Sequence, residues 1–245
     1  MSHIPENHWL KTQYQTLFRL RPDRRIEREN DPDCSPGPRF WLAGCPEGNL
    51  FGLRDDLSDE LVAKMEGLAA TEPPLTHSAI PKHLECYLSL LSSDDPASHD
   101  LGLIYDLPHA HPYPSKARLI NSDSMEGRDL VHSWASTGVP ENLFEIGFRR
   151  VADFWAPWCA VIVDGRIASI AFAARLSDTG AKLGLVTTNA FRGQGFAAAA
   201  TAGWTQLSSL RSRTLFYSTD RDNISSQRAA VRLGLRLRGA SLRVS

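Results

Sequence analysis

The chain has 245 residues, 42% of them hydrophobic and 22% charged, with a formal net charge of -1. That length suits one large domain or two small ones, and the composition supports a packed core and excludes a disordered chain. A charge so close to zero marks the whole molecule neither for nucleic acid nor for a membrane surface.

Cys34, Cys45, Cys86 and Cys159 have neither metal-ligand nor disulfide-framework spacing, which indicates a reducing compartment. The first twenty residues lack the apolar core of a secretory signal. The longest apolar stretch, 160–174, is broken by Asp164 and Arg166, so no membrane span and a cytoplasmic location are expected. No metal is expected either, because His109-Ala110-His111 has no further ligands at suitable spacing.

Residues 1–115 are irregular in pattern. The charged, proline-containing run 21–38 reads as loop. Phe40-Trp41-Leu42 and 50–53 are strand candidates. A helix is expected over 58–70, with Ser58 as N-cap and Leu61, Met65 and Leu68 at helical spacing. A second is expected over 81–91, with proline in its first turn, and 101–105 reads as a strand. Pro108, Pro112 and Pro114 then mark a break, which places a boundary near Ser115 between an N-terminal α/β subdomain (1–115) and a second domain (116–245).

Beyond it the pattern regularises. A strand at 117–120 leads to helices over 125–136 and 141–155, the latter with Leu143, Phe144, Ile146, Phe148, Val151 and Phe154 on its apolar face. Strands at 160–163 and 167–175 flank Asp164-Gly165, whose residues tolerate the positive φ of a tight hairpin turn. A strand at 182–188, a glycine loop, a helix to about Leu210, a strand at 214–219, a helix at 224–233 and a strand from Leu235 towards Val244 complete the chain. The order is β-α-α-β-β-β-α-β-α-β.

The chemistry lies where the strand ending Leu185-Val186-Thr187 runs into Arg192-Gly193-Gln194-Gly195-Phe196-Ala197 and opens a helix. Glycines there let the backbone approach an anion, and the helix N-terminus offers free N–H groups and the positive end of its dipole. Alone, this also fits an ordinary turn. The later segment adds Asn223 and Ser226 ahead of Leu233-Gly234-Leu235, with Gly234 a sound helix stop. Eight arginines, from Arg211 to Arg243, give this last third either a solvated basic face or one that meets an anionic ligand.

With both segments in place, residues 116–245 resemble the GNAT superfamily of N-acetyltransferases. The family's Arg/Gln-x-x-Gly-x-Gly/Ala loop is matched by Arg192 to Ala197, its preceding aromatic by Phe191, and its Asn…small…Leu-Gly-Phe signature by Asn223, Ser226 and Leu233-Gly234-Leu235. The resemblance implies an α+β fold with a mixed, mostly antiparallel sheet flanked by helices, and acetyl-CoA as cosubstrate. Leu185, Val186 and Thr187 would hold the pantetheine arm by backbone pairing, and Arg192, Gly193, Gln194, Gly195, Phe196 and Ala197 the pyrophosphate. Asn223 and Ser226 would touch the pantetheine or thiol end, a role compatible with Asn223 as a helix N-cap.

An amine acceptor must lose a proton before attacking a thioester, and the departing thiolate gains from an acid. Many family members place a glutamate base near the start of the cofactor strand and a tyrosine acid in the Asn-to-Gly helix; here these positions hold Lys182 and Ala230. Glu145 as base and Tyr217 as acid are the replacements selected, with His132 and Asp153 as further options, each set against a plain structural role. The expected activity is acetylation of a primary amine on a small molecule by direct attack in a ternary complex. A non-catalytic acyl-CoA-binding or regulatory module and a protein or peptide N-acetyltransferase remain as alternatives. A homodimer is left open, as is the role of residues 1–115: lid, substrate-binding segment or degenerate second copy. Cys159 after Trp155 and Trp158 suggests a thioredoxin-like site, but position 162 is isoleucine where a resolving cysteine is needed, so packing or substrate-pocket aromatics are expected there.

Overall fold

The computed structural model describes residues 6–46, 48–92, 96–110, 112–113 and 117–245. It opens on a helix, α1 (Glu6–Leu17), and a hairpin of β1 (Phe18–Leu20) and β2 (Ile26–Glu29). Then come β3 (Phe40–Cys45), β4 (Gly48–Leu53), α2 (Asp59–Ala70), α3 (Leu84–Leu91) and β5 (His99–Asp106). The remainder is β6 (Arg118–Asn121), α4 (Met125–Thr137), β7 (Trp158–Val163), β8 (Arg166–Leu176), β9 (Gly180–Thr187), α5 (Phe196–Trp204), β10 (Thr214–Asp220), α6 (Ile224–Arg232) and β11 (Arg236–Val244).

One sheet of nine strands runs in the order β4-β3-β11-β5-β10-β9-β8-β7-β6. Its neighbours pair antiparallel except β9 and β10, which are parallel. This is the mixed, mostly antiparallel α+β architecture expected. β5 comes from the first 115 residues yet lies between β10 and β11. The sheet therefore runs unbroken across the boundary drawn near Ser115, a residue outside the described ones.

Helices cover both faces. α5 and α6 pack Ala199, Ala200, Trp204 and Ala230 against Leu103, Leu183 and Tyr217. Leu103 pairs across the sheet with Ala240, whose cluster holds α2 and α3, so these four helices share a face. The opposite face carries α1, over Trp41, Ile104 and Phe216, and α4, whose Trp134 joins Ile170 and Val186.

Local signals explain most elements. Ser58 caps α2 through its bond to the Leu61 N–H, and Ser124 caps α4 through Gly127. Asp164 and Gly165, at φ 48° and 74°, make the expected hairpin turn.

Three expectations give way. Residues 141–155 form no continuous helix. A 3-10 turn at Glu141–Ile146 ends at Gly147, in the left-handed region at φ 92°, and a second at Val151–Asp153 is tied by the Asp153 carboxylate, which accepts from the Arg149 and Arg150 N–H groups at 2.7 Å. The apolar residues Leu143, Phe148 and Phe154 are buried together without a helix to align them. The helix expected to reach Leu210 stops at Trp204. Asp123 draws the next turn away by accepting from Ser208 Oγ and from the Ser209 N–H and hydroxyl at 2.8–3.0 Å. In the N-terminal part, α1 and the β1–β2 hairpin stand where no element, or loop, was expected. Trp9, Leu10 and Tyr14 of α1 are buried, but so are Thr12, Gln13 and Thr16, which hide its apolar periodicity.

Candidate active site

β9 and β10 pair from Gly180 with Thr214 to Leu183 with Tyr217. Beyond that point Gly184 to Thr187 pair only with β8, and Ser218 to Asp220 only with β5. The two strands part and leave a wedge whose β9 wall, including Leu185, Val186 and Thr187, has no β10 strand partner, although the Val186 carbonyl accepts from Ser169 Oγ at 2.8 Å and the Thr187 carbonyl from Arg192 Nε at 3.4 Å. Gly184 is needed at its apex, since a Cβ there would lie 2.5 Å from the Phe172 ring.

The wedge leads to the glycine loop. Thr188 anchors the end of β9 through its N–H to the Ala168 carbonyl at 3.0 Å, and a 3-10 turn, Asn189–Phe191, follows. Gly193 and Gly195 sit at φ 78° and 85°, a region costly for residues with a Cβ. Gly195 is the N-cap of α5 and offers no side chain to the helix, and no acidic residue stands in the first turn. The N–H groups of Gly193, Gln194, Gly195, Phe196 and Ala197 donate to no acceptor among the described residues. Arg192 differs from the expectation: its N–H is spent on the Asn189 carbonyl at 3.3 Å. Phe191 and Phe196 close the loop from behind, edge to face at 6.2 Å.

At the apex, Tyr217 lies on the last paired position of β10 and its ring is buried beside Tyr105, with centroids 6.1 Å apart. Burial raises the phenol above its ordinary pKa, and the Ser226 side chain beside it opposes the rise. Two residues selected separately, Tyr217 and Ser226, are thus neighbours. Asn223 Oδ1 accepts from the Ser226 N–H at 3.0 Å and caps α6. Ala230, one turn further along α6, is fully buried in the cluster that holds both tyrosines.

Glu145 is exposed at the loop end of the wedge, where its two oxygens accept from Asn189 N and Nδ2 at 2.8 and 2.7 Å. The carboxylate therefore ties the 141–146 turn to the segment that carries the glycine loop, a pairing no local sequence pattern announces. Lys182 points to the α1 face beside Arg175 and Phe216; burial lowers its pKa to about 8, Arg175 adds to this and Glu29 opposes it. His132 is exposed on α4, and Asp153 is occupied with the 3-10 turn described above. Cys159 is buried, which pushes its thiol up to about 12, and Trp158 is core. His109 hydrogen-bonds the Arg213 carbonyl at 2.8 Å, while His111 lies outside the described residues. Among the described residues no group of three potential metal ligands occurs, and no helix is long and apolar enough to cross a membrane. Of the arginine-rich last third, Arg213 and Arg221 hold the Ser177 and Ala79 carbonyls and Arg243 pairs with Glu29 of β2. Sequence reasoning passed over Tyr113, whose hydroxyl reaches Gly195.

Residues 125–236 match the family model described as acetyltransferase (GNAT) domain. Solved structures similar to the chain include a GCN5-related N-acetyltransferase from Kribbella flavida (16% identity, 97% of this chain and 93% of that one, TM-score 0.48). A GCN5-related N-acetyltransferase-like protein from Streptococcus suis gives 14% identity over 85% of each chain at TM-score 0.45. A protein assigned to the GNAT family from Novosphingobium aromaticivorans gives 18% identity at TM-score 0.40, over 60% of this chain and 64% of that one, so the match spans just under two thirds of it. No curated protein matches the chain.

Proposed function

We infer, from a chain whose residues 125–236 are a GNAT acetyltransferase domain, that this protein is an N-acetyltransferase that moves the acetyl group of acetyl-CoA to a primary amine on a small molecule. The observation that carries the reading is the meeting of an open strand wedge with a run of free N–H groups at a helix N-terminus. That arrangement fits a ligand with an extended amide-bearing arm and a pyrophosphate. The edge at Leu185, Val186 and Thr187 would hold the arm. The N–H groups of Gly193 to Ala197 would hold the anion, with Arg192 close by as a cation. Acetyl-CoA supplies an activated acetyl thioester when bound.

The chain's own groups supply proton transfer and orientation for direct attack in a ternary complex. Tyr217, a phenol protonated at neutral pH and pushed further up by burial, donates its proton to the departing thiolate, and Ser226 orients its hydroxyl. Asn223 holds the start of α6, and with it Ser226, in place. Glu145 takes the amine's proton through water, because both carboxylate oxygens already accept from Asn189. α1, lying over the sheet face opposite α5 and α6, serves as the acceptor-side cover.

A second reading, a non-catalytic acyl-CoA-binding module, is favoured by Lys182 and Ala230 at the two usual catalytic positions. Release of free thiol from acetyl-CoA across panels of small amines and of peptides separates the readings. Acceptor-dependent release with a small amine is expected. Tight acetyl-CoA binding without such release would favour the binding module, and release with peptides alone would move the acceptor to protein.

A further inference from the structure

Tyr113 belongs to the proline-rich connection between the two halves of the sequence, well before the glycine loop. Its ring packs half-buried against the cluster beneath α5, and its hydroxyl stands where a Cβ on Gly195 would be, 2.8 Å from that position. Gly195 is therefore held to glycine twice, by its φ of 85° and by this contact. No described residue forms a hydrogen bond with the Tyr113 hydroxyl, although it lies at the mouth of a cradle whose N–H groups, Gly193 to Ala197, are equally unspent.

We propose that Tyr113 is a cofactor-binding residue whose hydroxyl donates a hydrogen bond to the pyrophosphate seated on the Gly193–Ala197 cradle. This rests on the acetyl-CoA reading above. The backbone donors cover the anion from the side of the helix terminus, and the phenol closes over it from the side of the connection. A phenolic O–H suits the place. It donates to a phosphate oxygen without adding a charge, and two ring torsions set its position. Tyr113 thereby forms one wall of the cofactor site.

The test compares wild-type and Tyr113→Phe full-length protein, titrated with coenzyme A, with dephospho-coenzyme A and with pantetheine, which lacks the pyrophosphate. Phenylalanine keeps the ring packing, and an unchanged melting temperature verifies this. Loss of a hydrogen bond to a charged group is expected to weaken coenzyme A and dephospho-coenzyme A alike by about tenfold or more, with pantetheine unchanged. Equal or tighter coenzyme A binding by the variant would overturn the assignment, because the hydroxyl would then be idle or obstructive. A loss confined to coenzyme A would also overturn it, by moving the contact to the ribose phosphate. A loss extending to pantetheine would make the role one of packing. Wild-type protein that binds none of the three breaks the acetyl-CoA reading itself.

Discussion

The two ends of the wedge are built from different materials. The loop end is backbone: N–H groups from Gly193 to Ala197, positive φ at two glycines and an unpaired strand edge. The apex is side chain: Tyr217 on a strand, Ser226 on a helix and Lys182 on the far face. A backbone site writes itself into the sequence as glycines at set spacing before a helix, because few other residues allow the geometry. A side-chain site can be rebuilt from whichever element reaches the same point. Under the proposed function Ala230 and Tyr217 would illustrate this, the phenol of β10 lying in the same buried cluster as the small residue on α6.

That contrast can be broken or sharpened by substitution. The largest effect is expected for Tyr217→Phe, which removes the proposed acid: kcat falls by about 10²–10⁴-fold while the acetyl-CoA KM stays nearly constant in steady-state assays. Equal kcat would place the acid elsewhere. Glu145→Gln lowers kcat by about 10²-fold; a rise in the acetyl-CoA KM alone would assign the carboxylate to holding Asn189. Gly195→Ala strains a residue at φ 85°, costing about 1–2 kcal/mol of stability, and weakens coenzyme A at least about tenfold in titration because the cradle shifts.

Lys182→Met probes the apex without touching the loop. Folding lowers the lysine pKa from 10.5 to about 8, so the native state penalises the charged form. The penalty is fully present below about pH 8, shrinks as pH rises and is gone above about 10.5. The methionine variant is therefore more stable than wild type by up to about 3 kcal/mol at neutral pH, and the gain fades towards pH 10. Arg175, Glu29, Arg243 and Asp220 are the charged groups that bear on it, and a constant gain across pH would show that the charge is not buried. The smallest effect is expected for Asn223→Ala, which removes a helix cap worth about 1 kcal/mol, or about 2–4 °C in melting temperature.

Legibility followed the same division. The α6 signature was readable because Asn223 and Gly234 are its actual start and stop, and the β7–β8 hairpin because Asp164-Gly165 takes positive φ. α1 was hidden because it buries Thr12, Gln13 and Thr16 along with its apolar residues. The 141–155 segment misled because its apolar spacing is satisfied by two short turns folding into one cluster. Strand order was beyond reach: nothing local in 99–106 says that this segment will separate β10 from β11. The bonds from Glu145 to Asn189 and the approach of Tyr113 to Gly195 link positions far apart in the chain, so only the fold could bring them together.

A crystal structure of the full chain with acetyl-CoA tests the central claim most directly. The account predicts pyrophosphate oxygens within hydrogen-bonding distance of the Gly193–Ala197 N–H groups, the pantetheine arm along Leu185–Thr187, and the thioester sulfur beside Tyr217. A cofactor bound outside the wedge, with those N–H groups still unpaired, would contradict it.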